Sequence, residues 1–291
     1  MTPIISLPIM SWDQPCSERK QSAAMDALES GAVLLLPDLP FALLDGERQF
    51  LSAATAGAGK NVSLSPADGS VSGSSVQGAE LEALRAMMER FAAASRGLLR
   101  QLLPHYDPTI RLARTSFRPV EIAGRVSSWR KDDTRLHVDS FPSSPTGGKR
   151  ILRLFTNVNP DGQNRVWRVG EPFEDVARRF MPALSAPAWG SSQMLSLLGI
   201  TKGPRSAYDH HMLQLHDRMK SDMAYQSTAS QQTCEFKPGS TWLVYTDQVS
   251  HAAMLGQHVF EQTLHLPVAG MKNSDRSPLR VLERLLGRNL V

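Results

Sequence analysis

The chain has 291 residues, 32 basic and 28 acidic side chains and a formal charge of +4, an ordinary globular composition with ample length for a buried core. Two cysteines, Cys16 and Cys234, exclude a disulfide scaffold or a cysteine-built zinc site and fit a reducing compartment. No arginine-rich arm or aromatic RNA-binding signature occurs, which argues against nucleic acid, while the mild basic excess suits an anionic substrate or membrane surface without demanding one.

Residues 1–12 lack a charged start and a cleavage site, and no run approaches the roughly 20 apolar residues of a spanning helix. A cytoplasmic protein is expected. Residues 21–30 predict a short helix, and Gly31 then introduces an apolar run closed by Pro37, which reads as a buried strand. A second helix is expected over 46–54, and the Gly-, Ser- and Ala-rich segment 55–78 should be a mobile surface loop bordering the site. From 80 to 103 the spacing of Leu81, Leu84, Met88, Phe91, Leu98 and Leu102 predicts an amphipathic helix stopped by Pro104, with Met87 and Met88 as core filler.

After Asp107 the texture changes to short strands, predicted at 110–117, 126–129, around His137 and at 151–158. Segments 171–180 and 206–224 look helical, an insertion before the last strands. They carry His210, His211 and His216. Positions 211 and 216 lie roughly 140° apart on a helix, which argues against a zinc site there. Strands return at 232–236, 241–245 and 258–267, with His251 in the connection before the last of them.

The stretch 134–160, TRLHVDSFPSSPTGGKRILRLFTNVNP, holds the chemistry. Side chains two apart on a strand share a face, so His137 and Asp139 project together. A distant histidine completes a 2-His-1-carboxylate set, which leaves three positions of an octahedral Fe(II) open. Closing a barrel or jelly-roll sheet would bring His251 beside His137.

The segments LHVDSFPSSPTGGKRILRLFTNVNP, RVWRVGEPFEDVARRF and FKPGSTWLVYTDQVSHAAM resemble the Kdo hydroxylases, within the Fe(II)/2-oxoglutarate-dependent dioxygenases. The likeness runs from about residue 126 to 268. It implies a mainly β fold with flanking helices (α+β), a double-stranded β-helix of the jelly-roll or cupin-like kind, with a helical N-terminal region and a helical insertion. A single domain is expected, with a buttress over 1–108, the β core over 109–270 and a C-terminal helix over 271–291. The resemblance implies Fe(II) on His137, Asp139 and His251, 2-oxoglutarate and O2 as co-substrates, and hydroxylation of carbon 3 of a Kdo sugar on lipid A or a related lipopolysaccharide precursor.

Many members of the superfamily place an Arg or Lys about ten residues beyond the distal histidine, where this chain has Glu261, Gln262 and Thr263. Arg153, the one charge inside an apolar strand, is expected to hold the far carboxylate of 2-oxoglutarate, with Arg150 as the competing choice. Asn157 shares the Arg153 face and either touches the co-substrate or caps the strand. Lys149, Arg165 and Arg168 either meet the sugar or face solvent. An oxygenase acting on protein or RNA fits the same metal residues, as does a non-catalytic sugar-binding barrel. At the C-terminus, Ser277 and Pro278 predict a helix to about Leu286. Its stripe of Leu279, Leu282 and Leu286 beside Arg280, Arg284 and Arg288 suits either the protein's own core or the cytoplasmic face of the inner membrane.

Overall fold

The computed structural model describes residues 2–188 and 190–291. In chain order it runs β1 (Ile4–Ser6), α1 (Glu18–Glu29), β2 (Val33–Leu36), β3 (Val62–Leu64), β4 (Val71–Ser72), α2 (Gly78–Leu102), β5 (Arg111–Arg118), β6 (Arg150–Asn157) and β7 (Arg165–Val169). It continues through α3 (Phe173–Phe180), α4 (Ser191–Leu197), α5 (Ala207–Ser221), α6 (Met223–Thr228), β8 (Gln232–Phe236), β9 (Thr241–Tyr245), β10 (His251–Leu255), β11 (Val259–Leu266) and α7 (Pro278–Leu286). Eight strands form one sheet in the order β1-β2-β9-β6-β11-β5-β3-β4, and three form a second in the order β10-β7-β8.

Alternation along β6 explains the layering. Leu152 and Leu154 face α1 and α2, joining Leu84, Met88, Phe91 and Leu98 in one core. Phe155 faces the other way and packs with Trp242 from the large sheet and Trp167 and Phe236 from the small one. The Phe236 and Trp242 rings stack at 4.0 Å, so the two sheets meet face to face on aromatic side chains, each worth roughly 1.5–3 kcal/mol on burial. A third core joins α3, α5 and α7 to Leu136, Val138 and Ala252.

Several local expectations change. Residues 46–54 form short 3-10 turns, because Glu47 caps the Leu44 backbone and pairs with Arg90 on α2. Segment 55–78 carries β3 and β4, which extend the large sheet through β5. No strand forms at 126–129: Val126 is 98% exposed, and Arg125 donates to the carbonyls of Val120 and Glu121 in a local turn. The helix expected over 206–224 breaks at Asp222, whose side chain caps α6 through the Tyr225 N–H.

The C-terminal helix belongs to the protein's own core. Leu279 and Leu282 are buried, Arg280 pairs with Glu283, Arg284 with Glu174, and Arg288 lies against His211. Its apolar stripe is therefore not free for a membrane. Among the described residues no helix is long and apolar enough to cross one.

Asp209 ties α5 to the loop that follows the first metal-ligand candidates, accepting from Ser206 N and Oγ and from Thr146 N at 2.7 Å. Asp209→Ala should lower stability by about 1–2 kcal/mol, read from the urea midpoint, since it removes a capping box and leaves loop donors unpaired. His211, buried on the same helix, is held down to about 4 by burial, with His210 and Arg288 adding to it. Its folded value lies below its ordinary 6.5, so its contribution is complete above about 6.5 and is lost as pH falls toward 4. His211→Gln should flatten that part of the acid loss in unfolding curves compared at neutral and acid pH.

Candidate metal centre

Residues 136–139 run extended, and their alternation divides two environments. Leu136 and Val138 are fully buried in the helical core, while His137 and Asp139 point into the space between the sheets. The expected strand here shrinks to a single bridge. His137 N donates to His251 O at 3.0 Å and His251 N returns to His137 O at 2.9 Å. His251 opens β10 rather than lying in a connection, and pairs on its other side with Val169 of β7. Asp139 N is fixed to Thr246 O at 2.8 Å.

The ligating atoms of His137, Asp139 and His251 lie within 4.8 Å of one another, with His137 Nε2 3.7 Å from Asp139 Oδ1. His137 Nδ1 sits 2.7 Å from Arg135 O, and His251 Nδ1 2.8 Å from Val249 O. Donation from both Nδ1 atoms leaves both Nε2 lone pairs directed at the shared space, the tautomer a metal needs. Burial holds both imidazoles below their ordinary values and therefore neutral, with the nearby Lys220 charge pressing further on His137. Burial alone would raise the Asp139 carboxyl, but the Arg153 charge keeps it well below the usual range and anionic. Two neutral imidazoles and one carboxylate fit a divalent cation.

The triad opens on a cavity of about 340 Å³. Among its described lining residues Lys60, Arg118, Arg130, Arg153, Arg165 and Lys220 are cationic, against Asp133 and Asp139. Arg153 Nη2 is 2.9 Å from Asp139 Oδ2, but out of line for a hydrogen bond, and its Nη1 is 3.0 Å from Glu261 Oε1. Arg118 also binds Glu261, in two hydrogen bonds. Arg165 differs. It is 3% exposed, its Nη1 donates to Gly256 O at 2.7 Å, and no carboxylate among the described residues pairs with it. Burial and the Arg118 charge push it down to about 9. Gly256 is needed there: at φ +105° it turns its carbonyl toward Arg165, and an added Cβ would lie 2.8 Å from Asn164 O.

Among the described residues, five buried polar atoms in this cavity accept or donate no hydrogen bond: Asn61 Oδ1, Asp139 Oδ2, Arg153 Nε, Arg165 Nε and Trp167 Nε1. Their concentration around one triad is the mark of a site built for a ligand. Trp167 also stacks on His251, ring centres 5.1 Å apart.

The other candidates fall elsewhere. Arg150 is fully buried on the opposite face of β6, bound to Asp247 at 2.7 Å and to Gln248, so it does not reach the cavity. Asn157 Nδ2 donates to Gln163 O and Phe236 O, each at 3.0 Å, which fastens the end of β6 to β8. Arg165 lies in a strand rather than a loop, and Arg168 reaches Thr134 O at 2.7 Å, away from the cavity. His216 lines the cavity, its ring 5.4 Å from His137, while His211 stands apart beside Arg288. Reading the sequence missed Arg118, Lys60, Lys220 and Trp167. The odd charge at the end of an alternating strand was a signal for Arg118; nothing local marked the others.

Face-to-face sheets carrying a buried triad of two histidines and one carboxylate define the class of non-haem Fe(II) oxygenases. A sequence model of the 3-deoxy-D-manno-oct-2-ulosonic acid (Kdo) hydroxylases matches residues 11–289, and the chain belongs to that family. It is 47% identical to the Kdo hydroxylase KdoO, a non-haem Fe(II) α-ketoglutarate-dependent dioxygenase solved with α-ketoglutarate and Fe(III), with a TM-score of 0.97 over 100% of this chain and 98% of that one. A second structure of KdoO, with cobalt(II), gives 48% identity and a TM-score of 0.98 over the same shares. A third carries succinate and Fe(III). Comparison with curated protein sequences returns no match.

Proposed function

We propose that this chain hydroxylates carbon 3 of a Kdo residue carried on lipid A or a related lipopolysaccharide precursor, at the cytoplasmic face of the inner membrane, giving the 3-hydroxylated sugar Ko. The observation that carries it is the set of unpaired polar atoms gathered around the triad in one cationic cavity. The two facing sheets suit the double-stranded β-helix of the superfamily. His137, Asp139 and His251 would hold Fe(II), which with O2 and 2-oxoglutarate supplies the oxidant, the co-substrate leaving as succinate and CO2.

The chain's own residues divide the cavity by depth. Arg165 and Arg153 are nearly sealed from water, whereas the Lys60 and Arg130 side chains are 33% and 61% exposed. We assign the inner pair, with Trp167 Nε1, to the carboxylates of 2-oxoglutarate. Arg165 is the chief grip, because Arg153 already serves Asp139 and Glu261. The outer cations suit the acid group of the sugar, and Phe141, Phe155 and Trp167 line the space between and limit water. Purified protein with Fe(II), 2-oxoglutarate and Kdo-lipid A should release succinate in step with a product one oxygen heavier on the sugar. Succinate release that no Kdo compound stimulates would point instead to a protein or RNA substrate.

A further inference from the structure

Helix α4 and the turn after it expose four apolar side chains together: Met194 at 57%, Leu197 at 89%, Leu198 at 65% and Ile200 at 54%. Gly199, at φ +67°, makes the turn and places Ile200 beyond the helix end. This tip is fastened to the rim of the metal-centre cavity. Lys202 N donates to Ser143 O at 2.9 Å, and Arg205 donates to Pro142 O, next to Phe141 and Pro142 of the cavity wall. Ser192 Oγ donates to Arg205 O at 2.6 Å and closes the hairpin. The flank is basic. Lys202 is exposed, and Arg130, Arg205 and Arg218 line an open groove of about 450 Å³ with Asp217 as the one acid among its described lining residues. Arg130 lines that groove and the cavity alike, so the two adjoin.

We infer that the α4 tip and its basic flank dock on an anionic bilayer and deliver a lipid-linked substrate to the adjoining cavity. Four side chains fall short of the roughly 800 Å² per partner that a stable protein interface buries. A small apolar prominence beside several cations is the pattern of interfacial membrane binding, in which apolar insertion and attraction to anionic headgroups add. The membrane contact thus rests on α4, not α7. The inference deepens the proposed function, since it takes the Kdo acceptor to be membrane-held.

Flotation tests it, using vesicles of phosphatidylethanolamine with phosphatidylglycerol against vesicles of phosphatidylcholine alone, at low and high salt. The wild-type chain should float with the anionic vesicles and less so in salt. Leu197→Asp/Leu198→Asp should weaken that partition by about tenfold or more, the loss expected when two leucines no longer leave water. Lys202→Glu should weaken it less and reduce the salt dependence. Hydroxylation of Kdo-lipid A in the same vesicles should fall with partition in the double variant, while a water-soluble Kdo glycoside without acyl chains is turned over at the wild-type rate. All these positions are exposed, so melting temperatures should match, and Leu197→Asn/Leu198→Asn serves if the aspartates disturb folding. Equal flotation of wild type and both double variants would overturn the inference, as would wild-type self-association on size exclusion that the double variant abolishes. If flotation is lost as expected but no Kdo compound is oxidised, the docking surface stands and the substrate assignment fails.

Discussion

His251→Ala should abolish hydroxylation, a fall of at least about a thousandfold, on the order of 4 kcal/mol of lost transition-state stabilisation. His251 Nε2 is one of three atoms facing a common point, and removing it leaves a bidentate site that cannot hold a divalent cation firmly. The fold should survive, because the backbone bonds between His137 and His251 do not depend on the imidazole. The independent readout is Co(II) titration followed by visible absorption, in which His137→Ala, Asp139→Ala and His251→Ala should each lose the high-affinity signal. His216→Ala is the control. Its ring lies beside His137, but its Nδ1 is engaged by Asp217 at 2.9 Å, so this variant should retain Co(II) binding. Full activity of His251→Ala with added Fe(II) would sink the ligand assignment.

Arg165→Met should raise the 2-oxoglutarate requirement about a hundredfold, within the 2–5 kcal/mol typical of losing one side of a buried charged pair. The same variant should be more stable than wild type when no co-substrate is present. Arg165 is a buried cation without a carboxylate partner, and replacing such a charge with an apolar side chain removes a desolvation cost. Arg150→Leu should behave in the opposite way. It breaks a complete buried pair with Asp247, so stability should fall by about 3–5 kcal/mol while the 2-oxoglutarate requirement stays near wild type. Arg153→Leu combines both faults, since Asp139 loses the cation that keeps it anionic. Thermal melts with and without 2-oxoglutarate, set beside KM values, separate the three. If Arg165→Met destabilises the apo protein and leaves KM unchanged, Arg165 is structural and the grip passes to Arg153.

How much of this was legible follows from the range of each interaction. Helix α2 was readable because three- and four-residue apolar steps encode one buried face, and α7 because Ser277 and Pro278 mark its start. The pairing of His137 with Asp139 was readable for the same reason: a two-residue period is a property of the backbone, present before any partner strand is known. The strand expected at 126–129 failed because nothing in so short a stretch tells whether a neighbouring strand exists to bond it. Segment 55–78 failed in the other direction. Its small residues suggested a loop, but β5 offered an unpaired edge for β3, and only the assembled sheet reveals that edge.

The sequence by itself determined the metal-ligand candidates, the alternation that separates the two faces of β6, and the family likeness. It also singled out Arg153, with Arg150 competing, as the expected co-substrate grip. Tertiary structure supplies the grounds on which we propose Arg165 instead, because the number of carboxylates around a guanidinium is set by strands distant in sequence. Glu261 of β11 and Asp139 meet Arg153, Asp247 meets Arg150, and Arg165 is left facing the cavity with no acid of its own. It decided the two leucine-rich helices in the same way. The stripe of α7 is covered by α3 and α5, while the apolar side chains at the tip of α4 stand exposed among the described residues. Amphipathic spacing gives a helix an apolar face, but which face is covered depends on packing between distant segments, and that is not written in either helix alone.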